Sequence, residues 1–346
     1  MRVEADCLAD TPMFSPSRRQ GLVNMMRKFS SYLIALATVC ATSGVAQAAV
    51  DSYQLEIQQW QQQRIEKLKS PQSWLSVTNS EVVRPGTSRI GSGADQDIVL
   101  PSGPPHLGDL TYADNGSMSL ALVNGSHATI EHSPSGQGSI EPFHINGLYF
   151  FPDGTLLLDP VKGSKTPTTI HASTETLKIY SYEGDYDKGE KRLIVTDTQA
   201  PRLVNFNGLE YFPIDAGWKI TADWEPLKEP REVDVAYVQG SVQKVQIKSK
   251  AVFFRDGKRY ELMPYMESDD EVLFVFADRT SGKETYGGAR FLVTPAAKDG
   301  KIVLDFNKAV NPPCAFIPFP NCPIAMPENR LTLRINAGEK KVREDI

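Results

Sequence analysis

The sequence predicts a mainly β protein: an N-terminal helix followed by two β-sandwich or barrel-like units. Three observations predict it. Alternating apolar and polar residues recur, as in Met118-Ser-Leu120-Ala-Leu122, Leu177-Lys-Ile179-Tyr-Ser-Tyr and Leu331-Thr-Leu333-Arg-Ile335, the period of a half-buried strand. Hairpin-type pairs punctuate the chain at Asn115-Gly116, Asn124-Gly125, Asp153-Gly154, Asp256-Gly257 and Asp299-Gly300. The 25 Gly and 24 Pro are spread rather than clustered, which suits short strands and tight turns rather than disorder.

Taken in order, residues 1–48 read as leader. Arg27 and Lys28 supply a positive start, Tyr32 to Cys40 a short apolar core, and Ala46-Gln47-Ala48 a small-x-small cleavage site, which places the mature start near Ala49. Residues 1–24 are aperiodic and read as lying upstream of a start at Met25 or Met26. The apolar core is shorter than the roughly 20 residues a membrane span needs. Val39 is too bulky for the small residue expected before a lipid-bearing leader cysteine, which argues against Cys40 in that role.

Removing the first 48 of 346 residues leaves 298, enough for one large β domain or two smaller ones. The same removal takes five basic and three acidic residues. The remainder has 32 basic and 39 acidic, a net charge of −7. An acidic balance argues against nucleic acid or anionic lipid, both of which demand a basic footprint. No later apolar run is long enough to be transmembrane. The expected location is therefore periplasmic or secreted.

Residues 49–71 read as the clearest helix. Asp51 and Gln54 resemble a capping box, Tyr53, Ile57, Trp60 and Leu68 fall near one face, and Ser70-Pro71 ends it. A β-sandwich is expected over 72–185 and a second β unit over 190–340. The polar, turn-rich run Glu183-Gly-Asp-Tyr-Asp-Lys-Gly-Glu190 marks the break; one continuous β architecture with this run as a loop is the alternative.

Within the first unit, Arg89-Ile-Gly91-Ser92, Asp97-Ile98-Val99-Leu100-Pro101 and His106-Leu-Gly108 resemble the start of a forkhead-associated domain, a β-sandwich that binds phosphothreonine. Ser92 stands where that family has its anion-binding Arg, and no Ser-x-x-His is in register, so phosphopeptide binding is not expected. The five histidines (His106, His127, His132, His144, His171) lie in the first half. His127 and His132 would face opposite sides of a strand, which suits surface positions better than a metal pair. No nucleophile elbow, zincin motif, phosphate loop or dinucleotide fingerprint occurs, and no cofactor or metal is implied.

The second unit is the more informative. It holds Asp278-Arg-Thr-Ser-Gly-Lys-Glu-Thr-Tyr286, Arg290-Phe291-Leu292, Asp305-Phe-Asn307, Asn311-Pro-Pro-Cys314-Ala-Phe316, Asn321-Cys322-Pro323, Glu328-Asn329-Arg330-Leu331 and Ala337-Gly-Glu339. Cys314 and Cys322, the two cysteines outside the leader, are expected to form a disulfide in an oxidising compartment. Across so short a loop the bridge is worth on the order of 2–3 kcal/mol. A thiol or metal role is the alternative, weakened by the lack of any nearby His.

Together with Lys191-Arg-Leu-Ile-Val195, Phe206-Asn207-Gly208-Leu209 and Trp218, these strings resemble an exported bacterial family catalogued as a domain of unknown function, number 1684, over about Lys191 to Glu339. Val310 departs from the aromatic that the family has before Asn-Pro-Pro. The resemblance implies no activity.

The candidate ligand-binding residues are Tyr286, Arg290, Asp305, Asn307, Asn311, Asn329 and Glu339. In one reading they build structure: Asp278, Thr280 and Gly282 shape a turn, the asparagines satisfy a proline-rich backbone, and Arg290 pairs with Asp305 or Glu339. In the other, Tyr286, Arg290, Asn307, Asn311 and Glu339 surround a pocket for a small polar ligand or an envelope component. The absence of any recognised catalytic constellation favours a non-catalytic binding or envelope-assembly factor. The second leaves open a hydrolase or lyase with Asp305 or Glu339 as general base and Arg290 as anion stabiliser. A ligand role further expects Arg290→Ala and Asn311→Ala to cost under about 1 kcal/mol, and a structural role more than about 2 kcal/mol.

Overall fold

The structure, a computed structural model, describes residues 50–71, 73–114, 118–123, 129–132, 168–172, 175–181 and 191–342. The leader, the turn pairs at 115–116, 124–125 and 153–154, His127, His144 and the run 183–190 lie outside these residues. The chain divides into compact units at Glu56 and Ile57, and the described part of the first unit, residues 50–56, is helical. No described helix is long and apolar enough to cross a membrane.

Helix α1 covers residues 50–68. In the second unit its inward stripe is Ile57, the half-buried Trp60, Arg64 and Leu68, a helical spacing with one cation in an otherwise apolar row. Beyond it the protein is mainly β.

Two sheets form the first sandwich. One contains β1 (Val77–Val83), β6 (Thr129–His132), β7 (Thr168–Ala172), β8 (Glu175–Ser181) and β9 (Lys191–Asp197), in the order β1-β9-β8-β7-β6. The other contains β2 (Gly86–Gly91), β3 (Ile98–Val99), β4 (Gly108–Tyr112) and β5 (Met118–Leu122), in the order β3-β2-β4-β5. Ile90, Ile98 and Leu110 of the smaller sheet pack with Val83, Leu177, Leu193 and Val195 of the larger one. β9, which the sequence reading set beyond a break at 185–190, hydrogen-bonds to β1 and β8 and so belongs to this first sheet. Its alternation explains why: Leu193 and Val195 point into the sandwich, while Ile194 packs on the opposite face with Leu68, Trp74 and Phe316.

After the short helix α2 (Pro201–Val204) comes a long hairpin, β10 (Lys219–Ala236) and β11 (Val242–Arg255). With β12 (Lys258–Leu262) and β16 (Lys301–Asp305) it forms a sheet ordered β12-β11-β10-β16. A three-stranded sheet, β13 (Met266–Glu267), β14 (Glu271–Phe276) and β15 (Arg290–Pro295), completes the second half. The hairpin register jumps from Pro226 opposite Ser249 to Arg231 opposite Ile247, five positions on β10 against two on β11. Prolines at 226 and 230 interrupt the donor ladder there and the ribbon bends. Its two halves consequently meet opposite faces of β14. Ala222, Ala251 and Phe253 pack with Val272, Phe274 and Phe276, whereas Val235, Tyr237 and Ile247 pack with Leu273 and Val275.

Asp256-Gly257 and Asp299-Gly300 are two-residue turns with φ of 50° and 72°, and 52° and 70°, the left-handed pairs that primed hairpin turns require. Leu331–Ile335 keeps the burial alternation of a strand, with Leu331, Leu333 and Ile335 inside. It is not a strand, however, because Ile335 donates its amide to the Asp278 carboxylate instead of a ladder partner.

Cys314 and Cys322 lie at disulfide distance with their Cα atoms 6.2 Å apart. The loop they close docks on the tip of the β10–β11 hairpin: Val238 donates to the Cys322 carbonyl at 3.0 Å and Asn321 Nδ2 to Ser241 Oγ at 2.8 Å.

Inside the first sandwich Glu175 is 1% exposed and sits opposite Asp197 in the β8–β9 register. The Ser102 amide donates to its Oε1 at 2.9 Å. Burial pushes the Glu175 carboxyl above the usual range, and the Asp197 charge adds to this. The folded state thus holds this proton more tightly than the unfolded chain. The corresponding stability is present below the ordinary glutamate pKa and lost as pH rises through the folded value. Glu175→Gln keeps an acceptor for Ser102 and removes the charge. Its melting temperature should exceed that of the unsubstituted protein at pH 7, with the gap closing below about pH 4. A gap independent of pH refutes the assignment.

Candidate functional site

The polar residues of the C-terminal block form four groups in the interior. The first is organised by Arg290, at the start of β15 and fully buried. Its Nη2 donates to Asp278 Oδ1 and to the Ile335 carbonyl, each at 3.2 Å, and its Nη1 to the Ala337 carbonyl at 2.5 Å. Both side chains of the ion pair are at 0% exposure. Asp278 also accepts from Thr280 Oγ1 at 2.7 Å and from the Ile335 amide at 2.7 Å. The Phe276 ring centroid lies 5.1 Å from the guanidinium carbon. Burial pulls the Arg290 pKa down, and the charges of Asp278 and then Glu339 pull it back up. Its ion-pair partner is therefore Asp278, in place of the Asp305 or Glu339 that cross-strand pairing suggested.

Glu339 organises the second group and is likewise fully buried. Arg64 Nε donates to its Oε1 at 2.9 Å, and the Asn311 amide to its Oε2 at 2.7 Å. Asn311 Nδ2 in turn donates to the Lys340 carbonyl at 2.7 Å. The half-buried Tyr211 adjoins Glu339, and burial followed by that carboxylate's charge pushes its hydroxyl well above the usual range. Glycine at 338 is required: φ is +81° and a Cβ would lie 2.6 Å from the Ala309 carbonyl oxygen.

In the third group Asp305 caps the turn Phe306–Lys308, accepting from the Asn307 amide and from Asn307 Nδ2, each at 3.2 Å. Asn307 also pairs with the backbone of Asp215, accepting from its amide at 3.1 Å and donating to its carbonyl at 2.9 Å. In the fourth, Asn329 bridges two stretches of main chain. It accepts from the Met263 amide at 2.8 Å and donates to the carbonyls of Met263 and Val275 at 2.8 and 2.9 Å. Tyr286 stands apart, half-buried with its ring against Gly288; burial raises its hydroxyl.

The structure thus brings Arg290 within the electrostatic reach of Glu339, Asn311 onto Glu339, and Asp305 onto Asn307. It places Asn329 and Tyr286 elsewhere. Arg290, Asn307, Asn311, Asn329 and Glu339 are each at most 1% exposed. Most of their hydrogen bonds run to backbone groups. Such an arrangement positions chain; it does not present an acid, a base or an anion-binding cation to solvent. Among the described residues no group of three or more His, Cys, Asp or Glu could hold a metal ion. His106 binds Gln96 Oε1 through Nδ1 at 2.7 Å.

Sequence reasoning passed over Arg64, Tyr211 and Asp215. Arg64 had a signal: it occupies an inward position of the α1 stripe, where an apolar residue belongs unless the cation has a buried partner. Tyr211 and Asp215 had none, since their partners are more than 90 residues away in the chain.

Burial makes the expected cost of truncation large. Arg290→Ala strands the buried Asp278 carboxylate and should destabilise by about 3–5 kcal/mol. Asn329→Ala leaves an amide and two carbonyls unpaired and should cost about 2 kcal/mol or more. Asn311→Ala should cost less, because Asn311 Oδ1 has no hydrogen-bond partner among the described residues. Urea denaturation of the three variants measures this; a loss under about 1 kcal/mol for Arg290→Ala would restore the ligand-binding role.

None of the curated proteins matches the chain. A solution NMR structure of an uncharacterized protein from Haloarcula marismortui is similar at 27% identity and a TM-score of 0.33, covering 40% of this chain and 78% of that one. A family model described as "Protein of unknown function (DUF1684)" matches residues 204–340, the segment that holds the four polar groups apart from Arg64.

Proposed function

We propose that the chain is exported and acts as a non-catalytic binding or envelope-assembly factor, with residues 190–340 as its structural core. One observation carries this reading. The residues that a hydrolase or lyase would have to present, Arg290, Asp305 and Glu339, are buried and bonded to their own fold. A general base must reach the proton it removes, and an anion stabiliser must reach the developing charge. Support for export comes from Arg27, Lys28, the apolar run to Cys40 and Ala46-Gln47-Ala48, and from the cysteine pair at disulfide distance.

Two measurements test the proposal. In cells the protein should be recovered outside the cytoplasm with its N-terminus near Ala49, and the denatured, unreduced protein should show no free thiol. An unprocessed cytoplasmic chain, or two free thiols, refutes export. The purified protein incubated with isolated envelope material should co-sediment with it and release no soluble fragment. Release of fragments detectable by mass spectrometry, abolished in Asp305→Asn or Glu339→Gln variants that remain folded, would establish the enzymatic alternative instead.

A further inference from the structure

The outer half of the β10–β11 ribbon carries an open sheet edge. Beyond the bend, the two strands pair from Arg231 opposite Ile247 to Ala236 opposite Val242. β12 takes the other edge of β11 only from Ala251 onward, and among the described residues no strand pairs with that edge before it. Tyr237 donates its amide to the Ser241 carbonyl at 2.9 Å, which sets the rhythm of the ladder. Residues 243, 245 and 247 then bond back to β10, while Lys244, Gln246 and Lys248 turn their amides and carbonyls outward. The far edge keeps the same rhythm, since the Ala236 carbonyl accepts from the Ile324 amide at 2.8 Å. β11 has no proline, the extra residues of the bend lie on β10, and the inward side chains Val245 and Ile247 are apolar. Lysine is the remaining guard of this edge, and it does not repel an acidic strand.

The charges of the ribbon select what the edge accepts. On the exposed face β10 presents Glu232 and Asp234, and β11 presents Lys244, Gln246 and Lys248. Lys244 pairs with Glu232, and Gln246 Nε2 donates to the same carboxylate at 3.1 Å. Acid and base thus alternate from strand to strand, and opposite charges are the favoured cross-strand neighbours. β12 follows the rule where it occupies this edge: its Glu261 meets Lys250 of β11 at 3.0 Å. A second copy of β11 breaks it. The strand holds no acidic residue, so no register of β11 against itself sets a carboxylate opposite these lysines.

We propose that the edge of β11 over residues 243–249 takes up an extended acidic segment of a partner protein as an added antiparallel strand, continuing the line of β12. The segment's main chain bonds to Lys244, Gln246 and Lys248. Its carboxylates stand opposite Lys244 and Lys248, and its intervening apolar side chains adjoin Val245. About six residues span the edge. This surface lies outside the C-terminal polar groups and stands whether or not the non-catalytic reading does.

Fluorescence anisotropy of a dye-labelled, end-capped peptide of about eight alternating Glu and Val residues, titrated with the full chain, tests the proposal. Binding should saturate. The Lys–Val counterpart should bind at least about tenfold more weakly, because two opposite-charge neighbours become like-charge ones. N-methylation of the Glu amides, which face β11, should abolish binding, and N-methylation of the Val amides should leave it in place. Gln246→Pro removes an outward amide at a position that proline tolerates on a sheet edge, and should also abolish binding. Lys244→Glu combined with Lys248→Glu should reverse the preference between the two peptides. Absence of saturable binding, equal binding of the two peptides, or indifference to N-methylation of the Glu amides overturns the proposal. Dimerisation of the chain that Gln246→Pro abolishes would assign the edge to a second copy and overturn it as well. Should Gln246→Pro fail to fold, the N-methylated peptides decide on the unsubstituted protein.

Discussion

The fully buried pair of Arg290 and Asp278 is the constraint from which the second half of the molecule follows. From Asn311 onward the chain carries six prolines, at 312, 313, 318, 320, 323 and 327, and beyond β16 the described residues form no further sheet strand. Such a tail leaves amides and carbonyls without ladder partners, and in an interior each one left unpaired costs free energy. Arg290 and Asp278 supply the missing partners at Ile335 and Ala337, and Asn329 does the same for Met263 and Val275. The charges are tolerated because each neutralises the other and their remaining polar atoms mostly face backbone dipoles.

The same logic reaches α1. Arg64 is a cation in an apolar stripe because its partner, Glu339, lies at the far end of the chain, 275 residues away. Glu339 in turn holds the Asn311 amide at the point where the proline-rich segment begins. One carboxylate therefore joins the helix to the tail. The bent β10–β11 ribbon closes the rest, sealing both faces of β14, and the loop between Cys314 and Cys322 is fastened to the ribbon's tip.

These contacts explain why the C-terminal block resembles a binding site when read as a string. Asp, Asn, Arg and Glu interleaved with Gly and Pro are what a ligand pocket uses, and also what an irregular segment uses to satisfy its own main chain. The residue types are common to both; exposure separates them. Here Arg290, Asn307, Asn311, Asn329 and Glu339 are closed to solvent and bonded within their own fold.

By itself the sequence determined what depends on near neighbours. The helix over 50–68, the alternation in β5 and β8, and the Asp-Gly turns at 256–257 and 299–300 are set by local periodicity and by the φ each residue tolerates. The resemblance of the second half was carried by strings such as Asn311-Pro-Pro-Cys314, which are also local. Only the tertiary structure decided that β9 completes the first sheet, that Leu331–Ile335 gives up a ladder to meet Asp278, and that Arg64 finds Glu339. Those outcomes turn on which distant group lies within about 3 Å of a buried donor or acceptor. That distance is fixed by how the sheets and tail pack, and no spacing along the chain encodes it.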